Sequence, residues 1–322
     1  MSFAGFQGSS CSRPCPPSPS PARPGRSLSR ARSSRCPTAG SYGSSRGASS
    51  GYSWPVIGWP SDLNSYTFEQ ALDYWNVYYR PGNLCGIVVG DFDARQAKAL
   101  IERYFSRLDP GTRKPPPVVT LEVEQLAEQR MNAAGDFPPA VEVRYHTVPG
   151  GHADSYPLDM LAEILNQRTG RLYRGLVEGR GIATSASATS DTRKYAGLFA
   201  VRAETRGDAS PEALEQAWYE ELAALQAEEV PERELRKVKN RVAAQNYRKL
   251  EGNMGLLIQL AFAEAVLDWR EINDGPAKYE AVTAADIRRV ARRYFDATNR
   301  SVATYRRAEA APRKPQPEGA AR

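Results

Sequence analysis

The chain has 322 residues, 41% of them hydrophobic, with a formal charge of +6 and an isoelectric point near 9.1. The positive charge is concentrated at the start, where residues 1–54 hold Arg13, Arg23, Arg26, Arg30, Arg32, Arg35 and Arg46 and no Lys, Asp or Glu. The body is therefore near neutral and a folded nucleic-acid-binding surface is not expected, nor is a membrane span, since no apolar run approaches the ~20 residues a bilayer requires.

Residues 1–53 are mainly Ser, Arg, Pro and Gly with few aliphatic side chains. Such a segment buries too little apolar area to offset the entropy of ordering, so a disordered tail is expected. Cys11, Cys15 and Cys36 lie in it with no histidine nearby to complete a zinc site. Two origins stay open for the tail: a basic or phosphorylatable arm, and GC-rich DNA translated out of frame. The N-terminus has no apolar core of a secretory signal. The chain as written is expected to stay in the cytoplasm; an intact protein whose upstream signal was lost would be periplasmic.

Order is predicted from Trp54. Thr67 and Gln70 fit an N-cap and its N3 partner, opening a helix with Phe68, Leu72, Trp75 and Tyr79 on one side. Arg80-Pro81-Gly82-Asn83 ends it. The run "LCGIVVG" predicts a strand over 84–89, with Cys85 as a buried small hydrophobe. After the turn "GDFD", Asp93 and Gln96 cap a second helix to about Phe105, its apolar side formed by Leu100, Ile101, Tyr104 and Leu108. This helix–strand–helix unit has few strands to cover its helices and reads as part of a domain.

"DPGTRKPPPVV" reads as a linker dividing a partial unit, 54–112, from a second domain, 113–308; residues 309–322 form a loose tail. Strands are predicted over 118–123 and 141–148. A helix over 155–166 follows, with Tyr156, Met160, Leu161, Ile164 and Leu165 inward, then a short helix over 171–178. "GIATSASATSD" and "KYAGLFAVRAETR" predict paired strands. Helices over 211–228, 231–250, 254–268 and 283–294 and a strand over 299–307 complete an α+β domain. Pro211 and Pro231 fall at early helix positions, where proline is tolerated.

The stretches "PVIGWPSDLNS", "YYRPGNLCGIVVGDFD" and "AKALIERYF", followed by "GHADSYPLDMLAEILNQRTGRLYRGLVEGRGIATSASA", "LRKVKNRVAAQNYRKLEGNMGLLIQLAFAEAVLDW" and "VTAADIRRVARRYFDATNRSVATY", resemble the zinc peptidases of the pitrilysin and insulinase type. That family includes mitochondrial processing peptidase and bacterial relatives. The resemblance spans roughly 54–308 and implies layered antiparallel-sheet and helix domains, the first of them incomplete. "VTAADIRRVARRYFDATNRSVAT" also echoes "YTFEQALDYWNVYYRPGNLCGIV", as an internal duplication would.

The family's zinc chemistry is expected from a His-x-x-Glu-His helix, in which two imidazoles share a face and a glutamate activates the metal-bound water. This chain has only His146 and His152 and no such motif. The resemblance therefore implies no metal ligand and no catalytic residue on this chain, with zinc a cofactor of full-length relatives. Active relatives place an Arg and a Tyr seven residues apart to hold substrate; the matching positions here are Val177 and Thr184. Val lacks a charged fork and Thr is too short to replace a phenol. Arg171, Arg174, Arg180 and His152 are the candidate substrate-binding residues, with a charged outer helix face as the plainer reading of the arginines.

Other candidates have structural explanations. Glu232 with Arg236 and Glu234 with Lys237 predict ion pairs on an exposed helix face. Gly170, Gly175, Gly179 and Gly181 form no phosphate-binding motif and read as a packed turn. Tyr247, Phe262 and Trp269 are expected in a core or domain interface. His146 is read as a strand residue with an ordinary partner, His152 as bridging the turn or facing a chamber, and Asp154 as an N-cap.

The implied function is a non-catalytic or truncated chamber-forming chain that binds an extended or unfolded peptide together with a metal-bearing family partner or its own missing half. The alternative is a fragment of an active zinc metalloendopeptidase whose His-x-x-Glu-His half was lost to a frame error or wrong start. A third class is an assembly role like that of inactive relatives.

Overall fold

Two reciprocal hydrogen bonds open the first long helix. The Thr67 hydroxyl accepts from the Gln70 N–H at 3.3 Å, and the Gln70 side chain accepts from the Thr67 N–H at 3.0 Å, the capping box read from the sequence. The computed structural model describes residues 58–119 and 124–308. The N-terminal tail with its three cysteines, residues 120–123 of one expected strand and the C-terminal segment lie outside the described residues.

In 58–119, α1 is Pro60–Ser65, α2 is Phe68–Tyr78 and α3 is Ala94–Phe105. Asp93 caps α3 by accepting from the Gln96 N–H at 2.7 Å. The expected strand at 84–89 starts with Leu84 in extended backbone but is not a strand. A strand exists only as one side of a hydrogen-bonded ladder, and among the described residues nothing pairs with this segment. Cys85, expected to be buried, is exposed. The apolar faces of α2 and α3 are uncovered for the same reason: Phe68, Leu72, Trp75, Tyr79, Leu100, Ile101, Tyr104 and Leu108 are all exposed, and Val77 alone is buried there.

Residues 124–308 behave differently. Their elements are β1 (Gln129–Gly135), β2 (Ala140–Thr147), α4 (Ser155–Leu165), a π-helical turn (Tyr173–Gly179), β3 (Ala183–Thr192), β4 (Gly197–Thr205), α5 (Pro211–Ala227), α6 (Glu232–Leu250), α7 (Asn253–Val266), α8 (Glu271–Ala281), α9 (Ala284–Tyr294) and β5 (Arg300–Arg307). The strands form one sheet in the order β1-β5-β2-β4-β3. All neighbours are antiparallel except β1 and β5.

Alternation in β2 and β4 sends Val141, Val143, Tyr145, Phe199, Val201 and Ala203 to one face. That face carries α4, α5 and α9, which contribute Leu158, Leu161 and Leu165, Leu214 and Trp218, and Ile287 and Val290. Each large side chain removed from water contributes about 1.5–3 kcal/mol. The Trp218 indole donates to the Tyr145 hydroxyl at 3.1 Å, and Phe295 packs its ring against Tyr145, Phe199 and Trp218. Buried tryptophan needs such a partner for its N–H. All five inward positions expected on the 155–166 helix are buried.

Four expectations need correction. β1 and α8 were not legible in the sequence. Glu232 pairs with Arg236 at 3.7 Å, but Glu234 turns to Arg171 and Lys237 to the Thr169 hydroxyl, because a guanidinium fork binds a carboxylate better than a flexible ammonium. Tyr247, Phe262 and Trp269 are exposed and so contribute to no core; the first two lie on α6 and α7 and the third in the turn after α7. Pro231 stands at the N-cap of α6, one step before the helix.

Candidate functional site

The turn Pro149–Asp154 carries His152 into α4. The Asp154 N–H donates to His152 Nδ1 at 3.0 Å and the Ser155 hydroxyl donates to the His152 carbonyl at 2.7 Å. His152 bridges its own turn. Asp154 occupies the N-cap position but does not cap with its side chain. Its carboxylate accepts instead from the Tyr294 hydroxyl at 2.6 Å, Arg289 at 2.7 Å and Arg293 at 3.3 Å. Charge-assisted donors from α9 outcompete a backbone N–H. Burial alone would raise this carboxyl; the hydrogen bonds from Tyr294 and Arg289 and the Arg289 charge outweigh it and hold it below the ordinary carboxylate range. Burial, reinforced by Asp154, pushes the Tyr294 phenol up to about 12.

These residues do not fit a zinc centre. His152 Nδ1 is occupied by a backbone N–H, and Asp154 is neutralised by two guanidiniums. His146 sits on β2 with Nε2 3.2 Å from the Gln125 side-chain oxygen. Among the described residues, no group of three or more His, Cys, Asp or Glu is placed to hold a metal.

The arginine candidates cluster around the π-helical turn. Arg171 is half-buried and forks onto Glu234, with contacts of 2.8 and 3.1 Å, while reaching Glu221 at 3.2 Å. It ties α5 to α6. Arg174 is exposed, and Arg180 is paired with Glu220 at 2.5 Å across the solvated surface. Val177 packs against the core and Thr184 is exposed at the start of β3, donating to the Glu204 carbonyl at 3.4 Å. Gly170 is required by close approach, since a Cβ there would meet the Asn166 carbonyl oxygen at 1.8 Å, and Gly181 has φ +63°.

The sheet face away from the helices is polar at β2, β4 and β3. Arg144 and Glu142 alternate out of the core and bond at 2.6 Å, with Arg202 of β4 3.8 Å from Glu142. Together with Ser187, Thr189, Asp191, Leu198 and Ala200 they line a cavity of about 280 Å³ in which Glu142 and Arg144 are themselves buried. Beyond it, β3 is the edge of the sheet, and Ser185, Ser187 and Thr189 are exposed along it. This polar face was missed in the sequence. The signal was present in "AVEVRYHT", where the charged residues fall on every second position opposite the apolar ones. A more open depression of about 330 Å³ follows the arginines of α9, where Arg288 pairs with Glu229, Arg289 with Asp154, and Arg292 donates to the Gln226 carbonyl.

The profile described as peptidase M16 inactive domain matches residues 65–242, more than half of the chain. The chain belongs to the peptidase M16 family. Its match to a curated relative, the zinc protease PqqE of Helicobacter pylori, is 24% identical over 251 residues, covering 77% of this chain and 56% of that protein. The chain thus spans little more than half of that relative. A crystal structure of a Helicobacter pylori protease superposes with a TM-score of 0.73 at 23% identity, over 79% of this chain and 63% of that one. The first half of the periplasmic protease PqqL of Escherichia coli superposes with a TM-score of 0.71 at 17% identity, over 86% and 64%. These superpositions establish the layered α+β fold of this M16 chain.

Proposed function

We propose that this M16 chain is non-catalytic and holds an extended or unfolded peptide along the edge strand β3, acting with a second polypeptide that supplies the chemistry. The observation that carries the reading is the open edge of β3, lined by small exposed residues and floored by the Glu142–Arg144–Arg202 charges. An edge strand offers main-chain hydrogen bonds to any sequence, which suits a peptide substrate without side-chain recognition. Arg174 and Arg180, just before β3, supply positive charge for acidic peptide groups, and the His152 turn meets the far end of the strand, where the Gly150 N–H donates to the Arg193 carbonyl at 2.8 Å. Val177 and Thr184 leave the Arg and Tyr of active relatives unreplaced, which favours weak, unselective holding. The periplasmic setting of one solved relative supports export of an intact protein.

The test is titration of a fluorescein-labelled unfolded peptide into the purified chain, with hydrogen exchange followed on β3. Binding that slows the β3 amides supports the reading, and binding without that slowing overturns it. Chelator-sensitive cleavage by the chain alone, in the presence of added zinc, overturns the non-catalytic part.

A second reading is favoured by the partial span of the zinc protease relative: the chain is the non-catalytic portion of a longer zinc metalloendopeptidase. Upstream coding DNA with a His-x-x-Glu-His motif in a neighbouring frame decides for it, and an intact mass equal to this chain decides against it.

A further inference from the structure

Helix α7 is apolar on the side it turns to water. Leu256, Leu257 and Leu260 are half-buried on the side that meets α6 and α8, while Met254, Ile258 and Phe262 are each more than half exposed. These three recur every fourth residue and form one stripe along a helix of 14 residues. A helix that is apolar on all sides is ordinarily a buried one. Tyr247, before α7, and Trp269, after it, are exposed and lengthen the patch at its two ends. Trp269 is held in place: its backbone N–H donates to Glu264 Oε2 at 3.3 Å, and the Arg270 guanidinium lies 4.9 Å from the centre of its ring.

The patch is symmetric in sequence about Ile258. Met254 and Phe262 lie four residues to either side of it, Tyr247 and Trp269 eleven, and the oppositely charged Arg248 and Asp268 ten. A surface that repeats in reverse about one residue is complementary to its own copy under a two-fold axis. We propose that α7 is a two-fold contact between two copies of this chain, the helices crossing antiparallel at Ile258. Ile258 meets its counterpart, Met254 packs on Phe262 of the second copy as a sulfur–aromatic contact, and Tyr247 and Trp269 close the ends. Arg248 stands opposite Asp268, which is exposed and bonded in its own chain only to its neighbour Arg270. This charge match selects the antiparallel crossing, since parallel helices would set each charge against its own kind. The symmetry also favours a second copy over an unrelated peptide, which would not require matched residues at equal distances from one centre. The contact uses none of the β3 residues, so it goes beyond the peptide-holding reading and does not depend on it.

Sedimentation equilibrium of the full chain is expected to show a concentration-dependent dimer. Ile258→Glu sets two carboxylates against each other on the axis and is expected to weaken that dimer about a hundredfold. The site is exposed, so this variant is expected to keep the far-UV circular dichroism of the parent. Arg248→Asp alone and Asp268→Arg alone each set like charges together and are expected to weaken the dimer about threefold to tenfold. An equimolar mixture of these two variants places opposite charges together at both ends and is expected to dimerise as the parent does. That recovery is peculiar to an antiparallel two-fold contact. A monomeric chain overturns the inference, whatever α7 then binds. Association that survives Ile258→Glu, as contact through the bare faces of α2 and α3 would, also overturns it. So do charge variants that leave the dimer unchanged or fail to recover when mixed.

Discussion

Tyr74 and Val290 each stand seven residues after a threonine that opens a capping box, yet Val290 is fully buried and Tyr74 is 56% exposed. The two positions share local sequence logic and differ in what lies above them. Val290→Ala is expected to cost about 2 kcal/mol, because it removes buried methyl groups and leaves a cavity. Tyr74→Ala is expected to leave stability of the isolated chain almost unchanged, since it removes no buried contact of that kind. Urea denaturation of the two variants checks this, and equal losses would show that Tyr74 is covered in solution.

Asp154 sets an acid limit on the packing of α4 against α9. Its folded carboxyl is held below the unfolded value, so its stabilisation is full above about pH 4 and is lost as pH falls through the folded pKa. Breaking a buried pair by neutralising one partner costs about 3 kcal/mol, the expected loss for Asp154→Asn at pH 7. That variant is also expected to lose less further stability than the parent below pH 4. Denaturation midpoints from pH 7 to pH 2 check both; parallel acid limbs would remove Asp154 from the account.

The Tyr145 phenol is pushed up to about 12, chiefly by burial, so it stays neutral at ordinary pH and available to the Trp218 indole. Tyr145→Phe keeps the ring in the core and leaves that indole N–H without its 3.1 Å acceptor. An unsatisfied buried donor costs about 1–3 kcal/mol. The expected signature is a lower denaturation midpoint with a shifted Trp fluorescence maximum. A variant of parent stability would mean that water takes over the acceptor's place.

Legibility in the sequence followed how local each interaction is. The caps at Thr67 and Asp93, the Pro211 helix start and the inward face of α4 depend on neighbours within one turn or on a simple period, and they were readable. β1, "QRMNAAG", has none of the β-branched alternation of a strand and exists through its parallel pairing with β5. Helix α8 carries Pro276 in its interior, a residue that marks helix ends in sequence. Conversely, "LCGIVV" has strong strand character and no ladder among the described residues, because propensity cannot supply a partner. The Asp154 junction was misread as a cap because its donors lie some 140 residues away. The polar sheet face was readable from alternation in β2, but Arg202 joins it only through cross-strand register.

Arg171 and Arg180 separate structural from ligand-directed charge. Arg171 holds two carboxylates from different helices in a half-buried fork, so Arg171→Ala is expected to cost about 2 kcal/mol, on the scale of hydrogen bonds to charged groups. Arg171→Lys should rescue little, since a single ammonium cannot reproduce the bidentate contact. Arg180 meets Glu220 on the solvated surface, where an ion pair contributes little, so Arg180→Ala is expected to leave the denaturation midpoint unchanged. If Arg180 serves the peptide on β3, the same variant weakens binding of an acidic unfolded peptide about threefold to tenfold, and the difference disappears as salt screens the charge. Binding by Arg180→Ala that matches the parent at low salt would take this residue out of the site while leaving the edge strand in it.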